Sequence, residues 1–260
     1  RNFRSNPSST VRLAYRMVPW LYPTASRVVA VSGGVAEDLA RFSGMAGSRI
    51  DVVHNGIVTP DLYAKAAEPC GHPWFRPGEP PVVLAAGRMV DVKDFAALIR
   101  AFALLRAQRP ARLMILGEGE LRADLEQLAE RLGVAADLAM PGFLPNPYAL
   151  MSRAAVFVQS SRWEGLPSVL VEAMACGTPV VATDCPGGTR EILDDGKLGA
   201  LVPLDDDQAL ADSIARTLDD PVPANAMAYK VGQFTLDRAV DTYLDLALGT
   251  GRARSWEHGR

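Results

Sequence analysis

Short runs of β-branched and aliphatic residues recur along this chain, each followed by a turn marked by Gly, Asn or Pro and then by a stretch with apolar residues at helical spacing. Strands are predicted over residues 27–31, 49–53, 82–86, 113–116, 138–140, 156–158, 178–182 and 198–202. Helices are predicted over 35–42, 95–106, from Gly119 through 131, 147–154, from Pro167 to Gly177, 206–218 and 234–248. Residues 11–22 suit a short amphipathic helix broken at Pro19. Pro167 fits a first helical turn, where its missing N–H would be unpaired anyway, and Gly177 fits a helix end. Residues 59–81, rich in Pro, Gly and charge without periodicity, suit a linker. Strand–helix alternation at these spacings predicts an α/β fold, a Rossmann-like doubly wound parallel sheet with right-handed crossovers.

Composition narrows the function without naming it. The 260 residues are 48% apolar and 22% charged, enough for one large domain or two small ones. A net charge of −3 and the lack of any basic run argue against a nucleic-acid partner. Arg1, Arg4, Arg12, Arg16 and Arg252, Arg254, Arg260 make the two ends locally basic, which would favour an anionic membrane surface. No apolar run approaches the roughly 18 residues of a membrane span. Cys70, Cys176 and Cys185 form no C-x-x-C, pointing to a reducing compartment and away from structural zinc. His54, His72 and His258 lie far apart in segments without periodicity, so each is expected to be exposed and a histidine-based triad or metal site has little support. Gly117-Glu118-Gly119-Glu120-Leu121-Arg122 starts like a dinucleotide fingerprint, but Arg122 replaces the third glycine and the acidic surroundings would repel a pyrophosphate.

Candidate chemistry concentrates in residues 156–196. Glu164 and Glu172, eight residues apart, bracket the turn from a strand into a helix, one carboxylate in the loop and one on the helix. Helix N-termini favour phosphate oxygens, while carboxylates accept hydrogen bonds from neutral hydroxyls. Together these suit a nucleotide sugar, although by spacing alone two glutamates on a solvated helix face read the same way.

The wording of the stretch is more specific than its spacing. Glu164-Gly165-Leu166-Pro167-Ser168, followed by Glu172-Ala173-Met174-Ala175-Cys176-Gly177-Thr178-Pro179-Val180-Val181, resembles the E-x7-E signature of family-four retaining glycosyltransferases. These are GT-B enzymes that move a sugar from a nucleotide donor. The likeness runs over roughly residues 28–220. It implies that Glu164 sits beside the donor sugar as the catalytic carboxylate and that Glu172 accepts from the ribose hydroxyls. It also implies that the turn Gly165, Leu166, Pro167, Ser168 offers backbone N–H groups to the donor; Pro167 itself has none. Gly87, Arg88 and Lys93 match the family's G-R-x(n)-K pattern, implying diphosphate contact without an obligatory metal or further cofactor. Phe143 falls in the loop that meets the base in relatives, yet it reads equally as plain core. Gly187, Gly188 and Glu191 read as a tight turn and helix start.

The resemblance divides the chain into 1–61, a remnant of an acceptor-side domain; 62–80, a linker; 81–222, the donor domain; and 223–260, a crossover helix and tail. The chain begins at Arg1 rather than Met, so most of the first domain is expected to lie upstream and the fragment to turn over slowly or not at all. Phe234, Val240, Tyr243, Leu244 and Ala247 on the last helix would then be incompletely covered. The implied function is hexosyl or N-acetylhexosaminyl transfer to a glycan or lipid-linked acceptor in bacterial surface polysaccharide or lipid-linked glycan synthesis, in the cytoplasm with peripheral contact at the inner membrane face. The alternatives are a non-catalytic nucleotide-sugar module or one half of a split enzyme, and, further off, a nucleotide-sugar epimerase.

Overall fold

A computed structural model describes residues 16–249. Residues 16–21 are helical straight through Pro19, so the expected break there is absent; the earlier part of that predicted helix lies outside the described residues. Strands β1 (Val28–Ala30) and β2 (Ile50–Val52) form a small parallel pair, joined by helix α1 (Gly33–Ser43). Ser32 caps α1 by accepting from Val35 N–H, and Gly44 ends it in the left-handed conformation. Val28, Ala30, Ala36, Met45 and Ile50 make the core of this unit.

The main sheet holds six parallel strands: β3 (Val82–Ala86), β4 (Arg112–Leu116), β5 (Leu138–Gly142), β6 (Val156–Gln159), β7 (Val180–Thr183) and β8 (Ala200–Val202). Their spatial order is β5-β4-β3-β6-β7-β8, so the winding reverses between β3 and β6. Side chains alternate between faces, as the pleat requires. Val83, Ala85, Val156 and Val158 pack with α3 (Phe95–Arg106), α4 (Arg122–Arg131) and α8 (Asp207–Asp219). Val82, Leu84 and Phe157 pack on the other face with α5 (Tyr148–Met151), α6 (Ser168–Ala175) and α9 (Ala224–Val231). Both faces being covered explains why these strands read as unbroken apolar runs.

The segment 62–80, expected as a linker, carries structure. Thr59 caps a helix, α2 (Pro60–Ala67), which lies on α5 and buries Leu62 to 1% exposure. The eight-residue helix is too short for its one buried apolar position to show as a period. Arg112 then stacks over the Trp74 ring at 4.8 Å, tying the following turn to the sheet. Residues 54–58 are also bonded to the far end of the chain. Ile57 and Val58 N–H both donate to the Phe234 carbonyl, and Leu236 N–H donates to Val58. Phe234 is fully buried here, and its ring lies 4.8 Å from that of His54. The last helix, α10 (Leu236–Leu248), buries Ala239 and Leu246 and leaves Val240, Tyr243 and Leu244 about half exposed and Ala247 exposed, so its cover is incomplete as expected there; Phe234, expected on the same stripe, instead lies in the turn before the helix and is buried in the core of the sheet domain.

Docking of α2 makes a stability prediction. Leu62→Ala should lower the unfolding free energy by about 2–5 kcal/mol, whereas Tyr63→Ala, at a half-exposed position, should change it by less than about 0.5 kcal/mol. Urea denaturation of both variants checks this; equal effects would mean that α2 is not seated on the sheet domain.

Candidate active site

In an open parallel sheet the cleft forms at the carboxyl ends of the strands where the winding reverses, because the crossover helices lead away to either side. Here that point lies between β3 and β6, and the loops leaving these two strands are bound to each other. Ser160 Oγ donates to the Lys93 carbonyl at 2.8 Å, and Arg162 N–H donates to Val92 at 2.8 Å. Asp94, in left-handed backbone, caps α3 through Ala97 N–H and pairs with Arg162 at 2.6 Å. Lys93 Nζ lies 2.6 Å from Glu164 Oε1, with the two side chains 21% and 12% exposed. The Lys93 stem runs beside Gly87, where a Cβ would stand 3.3 Å from Lys93 Cε. Gly87, Lys93 and Glu164 are thus gathered at the switch point. Arg88 leaves the same loop exposed and makes no ion pair among the described residues.

Glu164 is fixed by its backbone as well. Its N–H donates to Pro186, and its carbonyl presses on Gly187, where a Cβ would overlap it and φ is +120°. Gly165 accepts from both Gly188 N–H and Ser32 Oγ, and Leu166 is buried beneath the turn. Pro167 precedes α6 and offers no capping side chain. The helical ladder begins with Leu170 N–H to Pro167, so the N–H groups of Ser168 and Val169 precede it.

Glu172 lies further along α6. Burial pushes its carboxyl above the usual range, and a long 3.4 Å bond from the Tyr148 hydroxyl offsets only part of that. Burial, and then the nearby Glu172 charge, drive the Cys176 thiol up to about 12, so it is an un-ionised side chain. Phe143, just past β5, is 80% exposed, which excludes the plain-core reading; β5 is two strands from β3 in the sheet. Gly117 and Gly119, the start of the apparent dinucleotide fingerprint, are explained by packing: a Cβ on either would overlap backbone at Gly87 or Met89.

Two features escaped the sequence reading. The His54 ring, expected to be exposed, is largely covered, with Nε2 2.6 Å from Glu191 Oε1, while Glu191 Oε2 accepts from Gly33 N–H at 2.8 Å. Burial would raise the Glu191 carboxyl, but the His54 bond and charge and the Gly33 N–H together hold it below the usual range. Partners more than a hundred residues apart leave no local signal. Tyr148 was missed because it meets Glu172 only through the fold, from a separate helix 24 residues away. Among the described residues no three of His, Cys, Asp and Glu gather as a metal site would need, and no helix is long and apolar enough to cross a membrane.

The raised Glu172 carboxyl has a signed consequence. A carboxyl whose folded pKa lies above its unfolded value of about 4.3 opposes folding once ionised; that cost is present at neutral pH and vanishes as pH falls through the unfolded value. Glu172→Gln should therefore raise the melting temperature at pH 7, with the gain shrinking to nothing below about pH 4. A pH-independent change would show that burial does not govern this carboxyl.

Comparison with known proteins agrees with this arrangement. Residues 72–233, more than half of the chain, match the model described as "Glycosyl transferases group 1", and residues 2–60 match "Glycosyltransferase Family 4". The chain is 31% identical over 204 residues to the Campylobacter jejuni N-acetylgalactosamine-N,N'-diacetylbacillosaminyl-diphospho-undecaprenol 4-alpha-N-acetylgalactosaminyltransferase, covering 78% of this chain and 54% of that one. It is 35% identical over 175 residues to the Rhizobium meliloti lipopolysaccharide core biosynthesis glycosyltransferase LpsE, covering 65% and 50%. The chain thus spans about half the length of these relatives. Among solved structures, a glycosyltransferase from Rickettsia africae superposes with a TM-score of 0.76 at 20% identity, over 93% of this chain and 67% of that one. Anabaena HepE in complex with UDP superposes with a TM-score of 0.74 at 24% identity, over 93% and 68%. The fold is that of GT-B glycosyltransferases, and with its switch-point loops inside the matched segment the chain belongs to the group 1 glycosyl transferases.

Proposed function

We propose that this chain is the donor-binding half of a retaining glycosyltransferase that moves a hexosyl or N-acetylhexosaminyl group from a nucleoside diphosphate to a glycan or lipid-linked acceptor. The observation that carries this reading is the meeting of Lys93 and Glu164 at the β3/β6 switch point, beside the uncapped start of α6 and the exposed Arg88. Breaking the bond between sugar C1 and the diphosphate oxygen leaves an electron pair on that oxygen. Cations fixed at that place stabilise the developing charge more than they stabilise the bound donor. Arg88 and Lys93 fill this role, with Gly87 between the strand and the cations and the N–H groups around Leu166 and Ser168 aiding them. Pro167 orients that turn, and the Gly165 carbonyl ties it to the Ser32 hydroxyl.

Glu164 is paired with Lys93 and receives the donor sugar's hydroxyls. Glu172, buried and lightly bonded, receives the ribose hydroxyls, which restore the hydrogen bonds its burial removed. Phe143 offers an exposed ring for the base. Residues 1–61 belong with the acceptor side, 62–80 connect, 81–222 hold the donor, and 223–260 return across the junction, a division supported by the bonds between residues 57–58 and 234–236. The Campylobacter relative's name places its own acceptor on diphospho-undecaprenol, which supports the reading of a lipid-linked acceptor for this chain, met in the cytoplasm at the inner membrane face.

Arg88→Ala or Lys93→Ala should cost nucleoside diphosphate binding roughly 1.5–3 kcal/mol and nucleoside binding far less, because each removes a charge-assisted contact to phosphate. Calorimetric titration of UDP, GDP and ADP and of their nucleosides measures both losses. Equal losses would mean that the two cations act through the fold. EDTA should leave diphosphate binding unchanged in the same titration, since fixed cations meet the charge; a strict requirement for added Mg²⁺ or Mn²⁺ would overturn this division of labour.

A further inference from the structure

Lys93 is already engaged within the chain. Its Nζ is 2.6 Å from Glu164 Oε1, and the Ser161 hydroxyl donates to that same oxygen at 2.6 Å. Arg88 can meet an incoming diphosphate at once, whereas Lys93 must share its three N–H donors between the diphosphate and a carboxylate that the diphosphate repels. The two members of the pair are held unequally. Glu164 is anchored through its own N–H, by Gly187 against its carbonyl, and by Ser161. Ser161 is itself buried, and its carbonyl accepts from Thr183 Oγ1 at 2.6 Å. The Lys93 ammonium has the single partner Glu164 among the described residues and rides on a flexible stem that passes beside Gly87, in the loop that carries Arg88.

We infer that donor binding hands Lys93 from Glu164 to the diphosphate, and that Ser161 is the positioning residue that keeps the Glu164 carboxylate in place during the exchange. The inference rests on the donor-site reading given above and adds a coupling to it. A bare diphosphate that draws Lys93 away leaves Glu164 with one hydrogen bond too few. A donor that also brings a sugar hydroxyl refills that oxygen. Glu164 thus opposes the nucleoside diphosphate while favouring the intact donor, a preference that aids release of the spent nucleotide.

The test is a double-mutant cycle on the full 260-residue chain, with UDP, GDP and ADP titrated by calorimetry. For the nucleotide that wild type binds, Glu164→Gln should tighten binding by about 2- to 10-fold, the scale of a partly exposed ion pair released. In a Lys93→Met background the same change should give no gain. Ser161→Ala should weaken diphosphate binding about 2- to 5-fold, because the carboxylate then depends on Lys93 alone, and this loss should vanish in a Glu164→Gln background. Glu164→Gln binding no tighter than wild type, or a gain of equal size without Lys93, overturns the hand-over; should Glu164→Gln fail to fold, an unaltered affinity in Ser161→Ala overturns it. Failure of wild type to bind any of the three nucleotides contradicts the donor-site reading itself, and the hand-over with it.

Discussion

The structure depends on one topological constraint: the reversal of strand order between β3 and β6. Crossovers on either side of that point carry their helices away from it, so the carboxyl ends of these two strands face a gap that no backbone element fills. The chain closes the base of the gap with polar bonds. Ser160, Arg162 and Asp94 knit the two loops together, and Lys93 and Glu164 face each other above them. A cation and a carboxylate this close, both largely covered, hold the two loops to each other. Breaking either partner alone leaves the other without its ion-pair partner in poor contact with water.

The same edge of the sheet also joins the two parts of the chain. Ser32 and Gly33, at the start of α1, reach Gly165 and Glu191, and His54 meets Glu191 from the exit of the small sheet. Glu191 carries the charge that suits a helix N-terminus, and its partners outweigh the cost of its burial. The turn that begins at Glu164 is thus touched from both sides by backbone and side chains, Ser32 from one and Gly188 from the other. Opening of this junction would move Gly165, and with it the turn that begins at Glu164.

Most of the fold was legible because both faces of the sheet are buried, so strands such as β3 and β6 stand out as unbroken apolar runs between turn residues. Helix α2 was not, since one buried leucine in eight residues carries no period and the flanking Pro and Gly read as linker. At the site, Gly87, Lys93 and Glu164 were found by wording, and the geometry brings them together. Phe143 was ambiguous because an aromatic after a strand suits a core or a rim equally; exposure decides for the rim. His54 with Glu191, and Tyr148 with Glu172, were invisible because each pair is made by folding across 24 residues or more. His54 was misjudged outright: an unpatterned segment need not be an exposed one when a side chain of a distant helix binds it.

The central claim is that the β3/β6 switch point holds the donor. A crystal structure of this chain grown with the nucleoside diphosphate it binds tests that most directly. The account predicts diphosphate density between the Gly87–Lys93 loop and the start of α6, with Arg88 and Lys93 on its oxygens and the ribose against Glu172. Density seated elsewhere, or a diphosphate at the switch point with Arg88 and Lys93 turned away, would contradict it.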